Sequence, residues 1–216
     1  MSCPHVAGAA AYVKAFHPDW SPAAIKSSLM TTASPMNVTG NTSVPGEFAY
    51  GSGHINPIKA IEPGLVYEAS KEDYIKLLCL VLDQAIVRLI SGDNTTCPTG
   101  SDKVSEQDHN YPSLAAVVVT PKTPFLFKFH RTVKNVGLAN STYKAKIFSN
   151  STEVDIKVVP EVLSFKSLNE EKTFDVTVVG QGLSDDLHSH VSASLVWFDG
   201  IHSVRSPIVI HRKRFF

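Results

Sequence analysis

From Val6 to Phe16 the chain is apolar on nearly every face of a helix, with Lys14 the single charge. Such a helix belongs buried all round inside a larger protein. His17-Pro18-Asp19-Trp20 ends it. Ser21 then reads as an N-cap with Pro22 in the first helical position, and Trp20 and Ile25 take the two places of a hydrophobic staple, predicting a second helix to about Thr32. Residues 34–63 are rich in Gly, Pro, Asn and Ser, which predicts an irregular connection with short extended pieces around Phe48 and Ile55. Ser70-Lys71-Glu72-Asp73 has the form of a capping box and opens a helix in which Tyr74, Leu78 and Val81-Leu82 share a face. A further helical piece is predicted over Gln84 to Leu89, and the polar, aperiodic stretch from Ser91 to Asp108 reads as a boundary.

Beyond it the period drops to two. Phe125, Phe127 and Phe129 alternate with Leu126 and Lys128; Tyr143, Ala145 and Ile147 alternate with Lys144 and Lys146. The same holds for Val154, Ile156 and Val158, and for Phe174, Val176 and Val178. Each set reads as a strand with one wet face. Val191 to Phe198 and Ile201 to Ile210 flank Asp199-Gly200, which predicts a hairpin with a type I′ turn. About seven short strands in about 100 residues indicate an immunoglobulin-like or fibronectin type III sandwich.

Composition narrows the function classes. The 20 Lys and Arg balance 20 Asp and Glu among 216 residues, which argues against a nucleic-acid reader with its basic face. The basic run His211-Arg212-Lys213-Arg214 reads as a solvated end. The best candidate for a membrane span, Leu77 to Ile90, is interrupted by Asp83 and Arg88 and falls short of the ~20 residues required, so none is expected. Nor do the first residues have the basic start and leucine-type core of a signal peptide. Yet Asn-X-Ser/Thr sequons stand at Asn37, Asn41, Asn94, Asn140 and Asn150, where about 1.5 would arise by chance. That excess points to a secretory origin. Of three cysteines, Cys79 and Cys97 lie 18 residues apart, the second in a polar, turn-rich stretch. An oxidised pair fits this setting, and a zinc site does not.

Met1-Ser2-Cys3-Pro4-His5-Val6-Ala7-Gly8 resembles the segment that follows the nucleophile of subtilisin-like serine proteases, Gly-Thr-Ser-Met-X-X-Pro-His-Val-Ala-Gly. Several later segments are similar to the plant branch of that family. They include Phe48-Ala49-Tyr50-Gly51-Ser52-Gly53-His54-Ile55-Asn56-Pro57, and Pro63-Gly64-Leu65-Val66-Tyr67 with Glu68 where Asp is usual. Leu78-Cys79, Cys97 and Asn110-Tyr111-Pro112-Ser113 follow, with His109 in place of the customary Leu. Arg131-Thr132-Val133-Lys134-Asn135-Val136-Gly137, Trp197-Phe198-Asp199-Gly200 and Val204-Arg205-Ser206-Pro207-Ile208 resemble its C-terminal domain.

The resemblance implies an α/β remnant, the C-terminal part of a subtilisin-like catalytic domain made mostly of helices and loops, followed by an all-β fibronectin type III-like sandwich. The expected division is 1–70 for the remnant, 71–108 for a helical junction and linker, and 109–212 for the sandwich. It implies peptide-bond hydrolysis by an Asp-His-Ser triad in the parent family. All three triad residues and the oxyanion Asn would precede Met1, so no residue here inherits a catalytic role and the fragment is expected to be inactive by itself. No cofactor and no metal are expected. Protein or peptide substrates would be met only in the full-length parent, with contact between sandwich and catalytic domain. The implied location is extracellular, in the apoplast or cell wall. The alternative is a non-enzymatic secreted interaction or regulatory module built on the sandwich.

Other features have simpler readings. Ser2 and His5 mimic a nucleophile and base, but no carboxylate is positioned to orient the imidazole. His188 and His190 would share a strand face without a third ligand nearby in sequence. Cys3 reads as a small buried residue of the first helix. Tyr111, Phe125, Phe127, Phe129 and Trp197 read as sandwich core. Residues 1–66 are expected to be poorly stable alone, because a helix apolar all round needs cover that this chain does not provide.

Overall fold

The computed structural model describes residues 1–36, 46–98, 105–120, 122–149, 151–184 and 190–212. Helix α1 (Ser2–Phe16) is followed by α2 (Pro22–Thr31), α3 (Gly46–Tyr50) and α4 (Pro57–Ile61). Strand β1 (Leu65–Val66) precedes α5 (Lys71–Leu78) and α6 (Gln84–Ser91). A 3-10 turn (Glu106–Asp108) leads into β2 (Leu114–Val118), β3 (Phe125–Asn135), β4 (Thr142–Ser149), β5 (Val154–Val159), β6 (Val162–Ser164), β7 (Glu171–Gly180), β8 (His190–Phe198) and β9 (Ser203–Arg212).

The predicted caps explain where the helices start. The Ser21 hydroxyl accepts the Ala24 N–H at 3.0 Å and donates to Glu68 Oε2 at 2.6 Å. Ser70 and Asp73 close a complete capping box. Two readings are corrected. Phe48 lies in helix α3, not in an extended piece, and α4 begins where a loop was expected. Its start carries the usual signal, Asn56 accepting the Lys59 N–H with Pro57 in the first turn.

The strands form two sheets, in the orders β1-β3-β7-β5 and β2-β9-β8-β4-β6. Alternation puts Phe129 and Val133 of β3 and Phe174, Val176 and Val178 of β7 inward, against Leu195 and Trp197 of β8 and Val204 and Ile208 of β9. Trp197 meets Phe174 edge-on, with ring centroids 5.1 Å apart. These residues make a fibronectin type III-like sandwich. The β8–β9 hairpin occurs as predicted, but its loop runs over four residues between the Phe198–Ser203 pair. Gly200 alone in that loop has positive φ. Asp199 instead shapes the turn, its carboxylate accepting the backbone N–H groups of Ile201 and His202. His211 and Arg212, read as part of a tail, complete β9 and pair with Val117 and Val118 of β2.

The helical segment adds to this sandwich. Leu65 and Val66 pair with Asn135 and Lys134 at the edge of β3, and Leu65 and Tyr67 are fully buried in the sandwich core. Gly64 makes this docking possible. Its φ is +83°, and a Cβ there would stand 2.6 Å from Tyr143 Oη and 2.7 Å from His202. Helix α2 rests against β9 and β1, while α1 packs on α2 and α4.

Candidate functional site

Ser2, Cys3 and His5 sit in the exposed first turns of α1. The His5 imidazole is held 2.8 Å from the Met1 carbonyl by Nδ1, an interaction internal to the helix. Cys3, expected to be buried, is an exposed free thiol, because it lies on a face that no other described element covers. The same reason corrects the reading of α1 as buried all round. Ala9 and Val13 alone are buried, facing α2 and α4, whereas Val6, Tyr12 and Phe16 are exposed. Between α1 and α2 runs an apolar groove of about 680 Å³, lined among others by Val6, Ala10, Trp20, Ile25, Leu29 and Ile55.

The second candidate region is the junction between helices and sandwich. Tyr67 is its pivot: its N–H donates to Ser27 Oγ of α2 at 2.9 Å, and its hydroxyl lies 2.8 Å from Ser206 Oγ of β9. Burial raises the Tyr67 phenol above its ordinary range, against the opposing effects of the Ser206 hydrogen bond and the Arg131 charge. Asn110 ties three segments, donating to the Glu68 and Thr132 carbonyls and accepting the Thr132 N–H. Arg131 is almost fully buried. It donates to the carbonyls of Gln107, Tyr111, Ser113 and His130, so a cation that would be costly to bury is satisfied by backbone dipoles. Desolvation lowers its pKa, with Tyr67 and Asp108 acting the other way.

Beside Arg131, the His109 ring faces Tyr74 of α5 at 5.1 Å and stacks on Tyr111 at 6.2 Å. Lys26 of α2 completes the group. Its ammonium donates to Tyr74 Oη at 2.7 Å and stands 4.5 Å from the Tyr111 ring centroid. Tyr111 is therefore part of the junction, not of the sandwich core as expected. Phe129 and Trp197 are core residues, with Phe125 and Phe127 packed partly buried against them.

Cys79 and Cys97 are joined by a disulfide between the end of α5 and the segment after α6. Asn94 and Asn140 are exposed; Asn37, Asn41, Asn150, His188, Lys213 and Arg214 lie outside the described residues. His190 is at the start of β8, in register with His211. Among the described residues no group of three or more His, Cys, Asp or Glu is placed to hold a metal ion, and no helix is long and apolar enough to cross a membrane. The roles of Arg131 and Asn110 were missed in the sequence. A signal was present for the first, since Arg131 occupies an inward place in the run Phe125, Phe127, Phe129, Arg131, Val133.

Comparison with known proteins matches both units. The family described as a fibronectin type-III domain covers residues 108–210, and the subtilase family covers residues 1–53. Subtilisin-like protease SBT4.3 of Arabidopsis thaliana is 53% identical over 212 residues, which is 98% of this chain and 28% of that protein. Subtilisin-like protease SBT4.11 of the same plant is 50% identical over 217 residues, 100% of this chain and 29% of that protein. Among solved structures, the ASH/PapD-like domain of human CEP192 is 10% identical with a TM-score of 0.32, covering 56% of this chain and 98% of that domain. The chain spans 28% and 29% of the length of these two protease relatives. It belongs to the plant subtilisin-like serine protease family, and it corresponds to a C-terminal portion in which the end of the subtilase domain is fused to a fibronectin type III-like sandwich.

Proposed function

We propose that this chain serves as the C-terminal part of a serine endopeptidase that cleaves peptide bonds, with protein or peptide substrates bound by the whole protein. The observation that carries the reading is the colinear match over 98% of the chain at 53% identity, which runs through both the helical segment and the sandwich. On this reading α1 is the helix behind the nucleophile. The 216 residues supply packing and support, and none of the reacting groups. The organisation that fits is 1–70 as the peptidase-domain portion, 71–108 as the junction and 109–212 as the sandwich, with the Leu65–Tyr67 strap crossing between them and holding sandwich to catalytic domain. A secreted, glycosylated, extracellular protein fits the five sequons, and Asn94 and Asn140 are both accessible. The Cys79–Cys97 bond fits the same oxidising setting.

Fluorophosphonate labelling tests the assignment, using the 216-residue chain beside a version extended upstream through an Asp, a His and a Gly-Thr-Ser. The extended protein is expected to label at the added serine, and the 216-residue chain to remain unlabelled. Labelling of Ser2 in the folded 216-residue chain would overturn it.

A further inference from the structure

His109 stands where three segments of the chain meet: α2 through Lys26, α5 through Tyr74, and the lead into the sandwich through Tyr111 and Arg131. Its Nε2 is buried without a hydrogen-bond partner, which a neutral imidazole tolerates better than a cation does. The charges around it are unfavourable to a proton. Lys26 sits in the same aromatic group, and the Arg131 guanidinium is fixed alongside by its four carbonyls.

The nearby carboxylates are engaged elsewhere. Asp73 is held in its capping box by the Ser70 N–H and hydroxyl, and Asp108 accepts the His130 N–H. Glu68, Lys76, Lys134 and Glu171 line the cavity of about 370 Å³ on one side of His109. Glu106 and His211 line the cavity of about 410 Å³ on the other. Burial first, then Lys26, hold the imidazole below its ordinary pKa, and Asp73 opposes them.

We propose that His109 is a proton-sensitive lock on the junction between the helical segment and the sandwich: the neutral ring closes the Tyr74–Tyr111–Lys26 group, and protonation opens it. The sign follows from linkage. A histidine whose folded pKa is depressed binds more protons when unfolded, so its contribution is complete above the unfolded value of about 6.5 and is lost as pH falls toward the folded value.

Hydrogen-exchange protection factors of the full chain, which correct for the intrinsic pH dependence of exchange, test this at pH 7.5 and pH 5. Residues 70–76 and 106–113 are expected to lose protection several-fold in acid, while β7 and β8 keep theirs. His109→Leu and His109→Gln should each abolish the loss; the second keeps a polar side chain in case the first packs badly. The proposal is overturned if both variants respond to acid as the wild type does. It is equally overturned if the response persists in them and vanishes in His211→Gln.

Discussion

Around the sandwich, 22 of the described residues form one continuous buried core that includes Trp197, Tyr143, Phe129 and Phe174. In the helical segment four described residues, Ala9, Val13, Leu29 and Ala60, form the other. The apolar content of the two regions does not account for the contrast, since α1 is the more uniformly apolar. What differs is the number of faces each pattern asks to have covered. A strand with period two needs one cover, and the opposite sheet provides it. A helix apolar all round needs several, and among the described elements α1 packs mainly on α2 and α4. Val6, Tyr12 and Phe16 stay 44%, 43% and 56% exposed, each forgoing roughly half of the ~1.5–3 kcal/mol that complete burial of a large apolar side chain supplies. The two regions are nevertheless not separable, because Leu65 and Tyr67 complete the sandwich core from the helical side.

The contrast can be broken most directly in the cores. Trp197→Ala should destabilise the sandwich by about 3–5 kcal/mol, whereas Val13→Ala, which removes two methyl-sized groups from the small core, should cost about 1.6 kcal/mol. Chemical denaturation followed by circular dichroism measures both; equal losses would mean that the helical core is as consequential as the sandwich. Gly64→Ala comes next. The positive φ and the close approach of Tyr143 and His202 should make it cost roughly 1–3 kcal/mol, seen as a lower melting temperature and as faster proteolysis on both sides of the strap. If cutting increases only within residues 1–63, the strap is not what joins the regions. The smallest effect belongs to Phe16→Ser. On an uncovered face it should change stability by no more than about 0.5 kcal/mol, and a larger loss in the same melts would reveal cover for α1 that the contacts of this chain do not include.

Legibility in the sequence followed the range of the interactions. Ser21-Pro22 and Ser70-X-X-Asp73 were readable because a cap is made within four residues. Asn56-Pro57 carried the same signal but lay inside a Gly- and Pro-rich stretch that masked it. Strands β3, β7, β8 and β9 were readable from polar residues interrupting apolar ones. Strand β2, Leu114-Ala115-Ala116-Val117-Val118, escaped because every residue is apolar, so the inward and outward faces cannot be told apart until β9 lies beside it. The hairpin was located correctly while its turn was not, since Asp-Gly marks a reversal and the Asp199 carboxylate chose its geometry. For the candidate site, the family segments were legible residue by residue, but they gave no role to Arg131, Asn110 or His109.

By itself, then, the sequence determined the family, the sandwich, the sites of helix capping and the excess of apolar faces on α1, all of which depend on periodicity or on residues close together in the chain. Tertiary structure alone decided that Leu65–Tyr67 joins a sandwich whose β3 partner begins some 60 residues later, and that Tyr67 reaches Ser206. It also decided that Lys26, Tyr74, His109 and Tyr111 become neighbours beside a buried Arg131. Those outcomes rest on pairing and desolvation between distant segments, and neither leaves a local pattern to read.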